Sequence, residues 1–560
     1  MTQPITPAKP THNEDLKTGS PTLAGTIAQT LADPQLDRFS EDDNQFLKFH
    51  GIYQQDDRDL RKTGKKFMLM IRVRIPGGVL TPAQYLDLDR LSTEYGNNTL
   101  RVTSRQAIQF HGVIKSDLAR TIKGINESLL TTIAACGDVV RNVMSPPSPA
   151  TNGIGEQLLA DAAKLSDALA PVTPAYHGIW IDGQELNLED EKVKNFVDPL
   201  YGKTYLPRKF KIAFAIPPLN DVDVLANDAG LIAIVEDGKL VGYNLAVGGG
   251  MGRSHGNSET FPRVADVVGF ITPDQVEAAV MAIVTIHRDF GSRENRKHAR
   301  LKYILADRGV EWFQAELESR LGFQLQPVRP FEFTKQGDDF GWHQQSDGRW
   351  FLGLFVETGR IKDTEERRLK TALVKVVRQF QTEVRLTPSN SIILANVKAE
   401  DREAITAILA EHGIPVVKQG SAVRCASMAC VSLPTCGLGL AESERYLPSL
   451  ISRIESLLEE VGLGDQEITI RMTGCPNGCA RPYLAEIGFV GKAPGKYQVY
   501  FGGNKASTRL NRIWKETVKD EEIINELRPV FVRYAQERTE DERFGDWVER
   551  AIWTEETTAV

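Results

Sequence analysis

The chain has only six cysteines in 560 residues, too few for a disulfide-built fold, and nothing in it points to an oxidising compartment. It has no excess of positive charge. Its 67 lysines and arginines stand against 74 acids, for a net charge of −7 and a pI near 5.9, so a nucleic-acid partner has no global electrostatic support. No apolar run approaches the roughly 18 residues that a membrane span needs. The longest candidate, 276–286, carries Glu277 and reads as a buried helix. The N-terminus, MTQPITPAKPTHNEDLKTGSPT, is polar and proline-rich with no apolar segment, so it is neither a secretory signal nor an anchor. It reads as a flexible arm, and the protein as cytoplasmic. A nucleotide fingerprint is missing too: GGGMGRSH at 248–255 lacks the Gly-x-Gly-x-x-Gly spacing, and no helix clearly opens from it. With no flavin or nicotinamide site of its own, any redox chemistry here needs electrons from another protein or a diffusible carrier.

Against these absences stands one dense stretch. Five of the six cysteines lie between 425 and 479, and four of them form two close pairs, Cys430 with Cys436 and Cys475 with Cys479. Pro476, Asn477 and Gly478 force a tight turn inside the second pair. Four thiolates converging from two loops suit a tetrahedral zinc or a cubane iron-sulfur cluster. The Cys-x5-Cys spacing lies outside the usual zinc knuckles and favours the cluster. Cys425 reads as a spectator and Cys136 as a small buried apolar residue.

The chain also repeats itself. A strand at 67–75 is followed by a helix with Thr81 as cap, Pro82 at its first position and Gln84 closing a capping box. A second strand spans 100–113. The same order recurs as a strand at 349–361, a helix through LKTALVKVVRQF, and a strand at 384–397, with Arg101 matching Arg385 and Thr103 matching Thr387. Period-2 alternation in the first copy puts Leu100, Val102, Ile108 and Phe110 on one face and Arg101, Thr103, Arg105, Gln109 and His111 on the other. In the second copy Ser389, Ile393 and Ala395 replace Arg105, Gln109 and His111, so only the first keeps a charged surface. Between the copies, Lys209 and Lys211 share one strand face, and a basic cluster runs from Arg293 to Lys302. Arg105, Arg141, Lys209 and Lys211 together suit a small oxyanion or a polycarboxylate, because guanidinium and ammonium groups give charge-assisted hydrogen bonds to oxygens.

ACVSLPTC together with TGCPNGCARPYLAEIGFVGKAPGKY resembles the cluster signature of the sirohaem-containing sulfite and nitrite reductases, in particular their assimilatory sulfite-reducing branch. The likeness extends through RQAIQFHG, YLPRKFK, NLAVGGG and GWHQQSDGRWFLGLFVETGRI and covers over nine tenths of the chain. It implies an internally duplicated α+β fold. The boundaries that follow are an arm and lead-in at 1–60, ferredoxin-like repeats at 61–145 and 346–425, and sirohaem and cluster lobes at 146–345 and 426–560. It implies two cofactors, sirohaem and a 4Fe-4S cluster, the latter held by Cys430, Cys436, Cys475 and Cys479, with Cys479 also the axial ligand of the sirohaem iron. Arg105, Arg141, Lys209 and Lys211 match its substrate-contacting cations, and Arg101, Gln109, His111, Asn142, Lys302 and Asn477 are candidates for sirohaem contacts. The implied reaction is the six-electron reduction of sulfite to sulfide, in sulfate assimilation toward cysteine. YQQDDRDLR and GGNKASTRLNRIWKE look like a subunit served by an NADPH-oxidising flavoprotein, whereas GCARPY looks like ferredoxin-dependent relatives. Gly437-Leu438-Gly439 departs from the family pattern, so the helix after the first cysteine pair is expected to start late.

Overall fold

The computed structural model describes residues 9–149, 153–182 and 191–554. Both strand-helix-strand copies are present. The first helix, Pro82–Tyr95, starts as its sequence dictates: Thr81 Oγ1 accepts from Gln84 N at 3.3 Å while Gln84 Oε1 accepts from Thr81 N at 3.0 Å. The second, Leu369–Phe380, buries Leu369, Ala372, Leu373, Val376 and Val377, a stripe at helical spacing.

Each expected second strand is instead a hairpin. Leu100–Val102 turns through residues 103–107 into Ile108–Val113, closed by Thr103 N donating to Ala107 O at 2.8 Å. Glu383–Leu386 turns likewise into Ile392–Val397, with Thr387 N on Ser391 O at 3.0 Å. An alternating pattern continues across a tight hairpin without a break, so it does not reveal the turn; Gln106 at φ 51 and Asn390 at φ 73 are where the chain reverses.

The copies also exchange edges. The first sheet runs Ile52–Asp56, Phe67–Arg72, Ile108–Val113, Leu100–Val102, then Arg360–Ile361 from the second copy. The second runs Gly341–Gln344, Trp350–Leu354, Ile392–Val397, Glu383–Leu386, then Val79–Leu80 from the first. Arg360 pairs with Arg101, and Leu80 with Val384. Two-residue strands hold no sheet alone; each here caps an edge that its own copy leaves open.

The larger lobes repeat a plan as well. In one, Ile212–Ala215 runs parallel to Ala229–Glu236, which turns back antiparallel as Lys239–Val247. In the other, Ile470–Thr473 runs parallel to Ile487–Ala493, which turns back as Lys496–Phe501. One apolar core runs through both repeats and the first lobe, and a second fills the C-terminal lobe. The helix Val276–Phe290 is buried as expected.

From residue 9 onward the N-terminal stretch is not a loose arm; residues 1–8 lie outside the described residues. It forms helices His12–Gly19, Ile27–Ala32 and Glu41–Phe49 and packs on the body. Buried Lys17 bonds Glu14 Oε1 at 2.5 Å and Leu206 O at 2.9 Å, and Arg293 reaches Glu14 from the basic cluster. Its polar residues are paired inside the structure, which composition alone hides. Among the described residues no helix is long and apolar enough to cross a membrane.

Candidate active site

A cavity of about 480 Å³ lies where the first repeat meets both lobes. All four paired cysteines line it. Strand Ser427–Ala429 runs parallel to Ile470–Thr473 with Ala429 opposite Met472, so the Cys430 and Cys475 loops leave neighbouring strands at the same end. Cys430 N donates to Met472 O at 3.2 Å and Cys436 N to Ser432 O at 2.9 Å, which curls the first loop over the second. No helix begins until Leu447, in keeping with the glycines at 437 and 439. Cys475 is buried, Cys430 and Cys436 are partly so, and Cys479 is exposed. Burial pushes the Cys475 thiol up to about 12 and Cys430 upward as well, so both are poor thiolates without a cation to hold them.

Seven cationic side chains line the same cavity (Lys48, Arg72, Arg101, Arg141, Arg208, Lys209 and Arg296) against one carboxylate, Asp138. Asp138 is taken by Arg296 in a bidentate pair at 2.7 and 3.0 Å. Arg141 Nε donates to Gly137 O at 2.8 Å, and its Nη groups have no partner among the described residues. The Lys209 and Lys211 ammonium groups likewise have none. Burial lowers Lys209 to about 7, with Arg208 and Arg300 adding to the effect. Lys211 falls well below the ordinary lysine range through burial and then Lys209. Cations that depress one another in this way are set for an anion.

The expected residues divide. Arg101, Gln109, His111 and Asn477 line the cavity alongside Arg141 and Lys209. Arg101 does so with its donors taken, by Glu444 Oε2 at 2.8 Å, Ala429 O at 2.7 Å and Val102 O at 3.1 Å, so it braces the strand that delivers Cys430. His111 Nε2 is buried without a partner, and burial keeps the ring neutral. Arg105, Asn142, Lys211 and Lys302 stand one layer behind. Arg105 sits in the hairpin turn, and its guanidinium goes to Asn227 Oδ1 at 2.9 Å, Asn142 O at 2.5 Å and Ile212 O at 3.2 Å, so the structure does not bring it to the cavity. Asn142 holds that turn, through Ile75 N and O and the Arg105 carbonyl. Lys302 ties Gly250 O at 3.2 Å, Gly252 O at 2.7 Å and Phe261 O together behind the glycine-rich loop. That loop is a packing element: Arg253 N donates to Pro476 O at 2.9 Å, and a Cβ on Gly478, at φ 63, would meet Met251 O at 3.0 Å.

Sequence reasoning missed Arg72. It ends the strand Phe67–Arg72 opposite Gln109, lines the cavity, donates to Cys136 Sγ at 2.8 Å, and meets the Gln109 amide oxygen at 2.6 Å once that amide is turned to accept. Its signal was the period-2 face that carried Arg101 and Gln109, extended one strand upstream. Cys136 is therefore buried but polar in use. Cys425 lies away from the other four, beside Ser389 and Glu467, with burial raising it to about 11.

Two family descriptions match, each twice. The nitrite and sulphite reductase 4Fe-4S domain covers 160–325 and 428–555, and the nitrite/sulfite reductase ferredoxin-like half domain covers 60–128 and 343–412, together more than half of the chain. The chain belongs to the nitrite and sulphite reductase family. It is 51% identical over 544 residues to the sulfite reductase (NADPH) hemoprotein beta-component of Staphylococcus haemolyticus, covering 96% of this chain and 94% of that one. It is 50% identical to the protein of the same description from Myxococcus xanthus, over 96% of each chain. The solved NirA protein of Mycobacterium tuberculosis shares the fold, at a TM-score of 0.78 with 24% identity and 97% of each chain covered.

The family's cofactors, a 4Fe-4S cluster and a sirohaem, fit the residues present. Among the described residues no three histidine, cysteine or acidic side chains converge tightly enough to hold a single metal ion. A cubane takes one thiolate at each of its four irons, and the four cysteines lining the cavity supply that number. The cation surplus and the buried His111 Nε2, unpartnered among the described residues at the cavity wall, suit a polycarboxylate ring.

Proposed function

We propose that the chain is the hemoprotein of a cytoplasmic NADPH-type sulfite reductase, reducing sulfite to sulfide with six electrons in sulfur assimilation toward cysteine, with a flavoprotein as partner. The observation that carries this reading is one cavity holding four cysteines and a surplus of unpaired cations. Cys430, Cys436, Cys475 and Cys479 would hold the cluster, and Cys479, the exposed one, would link it to the sirohaem. Bound there, the pair supplies an iron for the substrate sulfur and electrons delivered one at a time. Arg72, Arg141 and Lys209 are the cations we assign to the sulfite oxygens, with Lys211 one layer behind them on the Lys209 strand. Arg105 supports them by fixing the carbonyls of Asn142 and Ile212, on the segments next to Arg141 and Lys211.

Each cation neutralises charge in a partly dry cavity, where such contacts are stronger than in water. Lys209, brought to about 7, exchanges protons near neutrality and suits the release of oxygens as water. Sulfide release by the loaded protein, with NADPH and a flavoprotein reductase, tests the reading. Lys211→Ala should lower kcat by on the order of tenfold or more while sulfite affinity changes far less. Equal losses in the two would refute that role.

A further inference from the structure

We propose that the exposed rim formed by residues 58–66 and the Cys436 loop is the docking surface for an acidic electron-donor protein. The inference rests on the sulfite-reducing reading above. Arg58 places this segment on the cysteine loop: its amide donates to Pro434 O at 3.3 Å, and its guanidinium to Cys436 O at 2.8 Å and Gly439 O at 2.7 Å. Three large apolar side chains are exposed on these two segments, Leu60 at 44%, Leu440 at 39% and Leu438 at 62%, the last also lining the cavity. Isolated exposed leucines need no explanation, but three around one loop are an apolar patch.

Charge identifies the occupant. Residues 58–66 hold five cations and one acid, in a chain whose net charge is −7. Asp59 is paired with Arg445 at 2.6 Å and Arg61 with Asp56 at 2.5 Å. Lys62, Lys65 and Lys66 are exposed and make no ion pair among the described residues. A small apolar patch ringed by unpaired lysines fits a transient encounter steered by opposite charge. The step it would serve moves one electron from the reduced flavin of the donor to the cluster that Cys436 would hold together with Cys430, Cys475 and Cys479. The donor is oxidised by one electron, the cluster is reduced by one, and no bond or proton is exchanged.

The test uses the cofactor-loaded protein carrying Lys62→Glu, Lys65→Glu and Lys66→Glu together, and separately Leu60→Asp. Each is driven by reduced methyl viologen, a small dye that needs no docking surface, and by NADPH with the flavoprotein reductase. At low salt the flavoprotein-driven rate should fall on the order of tenfold in the lysine variant, with the dye-driven rate within about twofold of the parent. Added salt should slow the parent's flavoprotein-driven rate and leave the lysine variant's nearly flat. A flavoprotein-driven rate unchanged in both variants, or equal losses with both donors, overturns the proposal. A parent protein that releases no sulfide even with the dye removes the sulfite-reducing reading, and this inference falls with it.

Discussion

In the N-terminal lobe Asp223, at φ 48, opens the short helical turn Val224–Ala226; in the C-terminal lobe Arg481, at φ 54, opens Pro482–Leu484. A single offset relates the lobes, carrying Ile212 and Ala229 onto Ile470 and Ile487. It sets Lys211 N on Asp228 Oδ2 against Thr469 N on Glu486 Oε2, both at 2.8 Å, and each of these carboxylates also holds an arginine, Arg300 and Arg543, which the offset does not align. Backbone and buried anchors are kept. The same offset carries Lys209 onto Glu467 and Asp221 onto Cys479. Each lobe thus contributes to two equivalent sites: one takes Lys209 and Cys479, the other Glu467 and Asp221, where Asp221 has Asp338 and Asp339 for neighbours and Glu467 lines a small cavity of about 30 Å³. Main-chain hydrogen bonds fix the architecture whatever the side chains, so a duplicated fold is free to differentiate its two equivalent sites.

The sharpest way to break that comparison is to change both members of one equivalent pair. Cys479→Ser should abolish the cluster's absorption and paramagnetic signals, and lower sulfide release by at least on the order of 100-fold. Asp221→Asn, at the matching position, should leave both within about twofold. If the two variants lost activity alike, the C-terminal cysteine would hold no special place.

The pair at the junction comes next. Asp223, fully buried, accepts from Arg471 Nη1 at 2.7 Å and from Arg481 Nε. Arg481 spends its remaining donors on Ser104 O at 2.8 Å and Pro388 O at 3.1 Å, one from each hairpin turn. Ser104 Oγ in turn donates to Cys479 O at 2.9 Å. The brace thus joins both repeats to the cysteine loop. Asp223→Ala strands two buried guanidinium groups and should cost about 3–5 kcal/mol in denaturant unfolding. Asp228→Ala, stranding one guanidinium, should cost less; equal costs would argue against a special junction.

Much of this was legible beforehand, for identifiable reasons. The cysteine spacing, the capping box at Thr81 and the loss of charge at Ser389, Ile393 and Ala395 are local patterns, and local patterns survive in sequence. The exchange of Val79–Leu80 and Arg360–Ile361 was not legible, because a two-residue strand has no periodicity to read. Arg105 and Arg72 show the second limit. Both sit on the polar side of the first repeat, and only the hairpin turn decides that Arg105 folds back onto carbonyls while Arg72 faces the cavity. The lobe duplication was missed because Asp223 and Arg481 are unlike residues whose shared property is a backbone angle.

The last expected effect concerns pH, and it separates the two equivalent sites thermodynamically. Burial, reinforced by Asp338, pushes Asp221 up to about 8, and burial pushes Asp338 up to about 7 despite the 2.7 Å hydrogen bond from Thr387 Oγ1. Asp221 is 2% exposed and its Oδ1 has no partner among the described residues. In the folded protein both carboxyls keep a proton over a range where the unfolded chain, titrating near the ordinary carboxylate value, has released it. Folding therefore takes up protons there, and these two groups make stability fall as pH rises from about 4 through 7 to 8. Asp221→Asn removes one of them and cannot ionise. Set equal to the parent near pH 5, it should be the more stable protein at pH 8.5 in denaturant unfolding, the gap widening with each pH unit up to about 8. Parallel stability curves for the two proteins would mean that Asp221 ionises freely and that the acidic site is open to water.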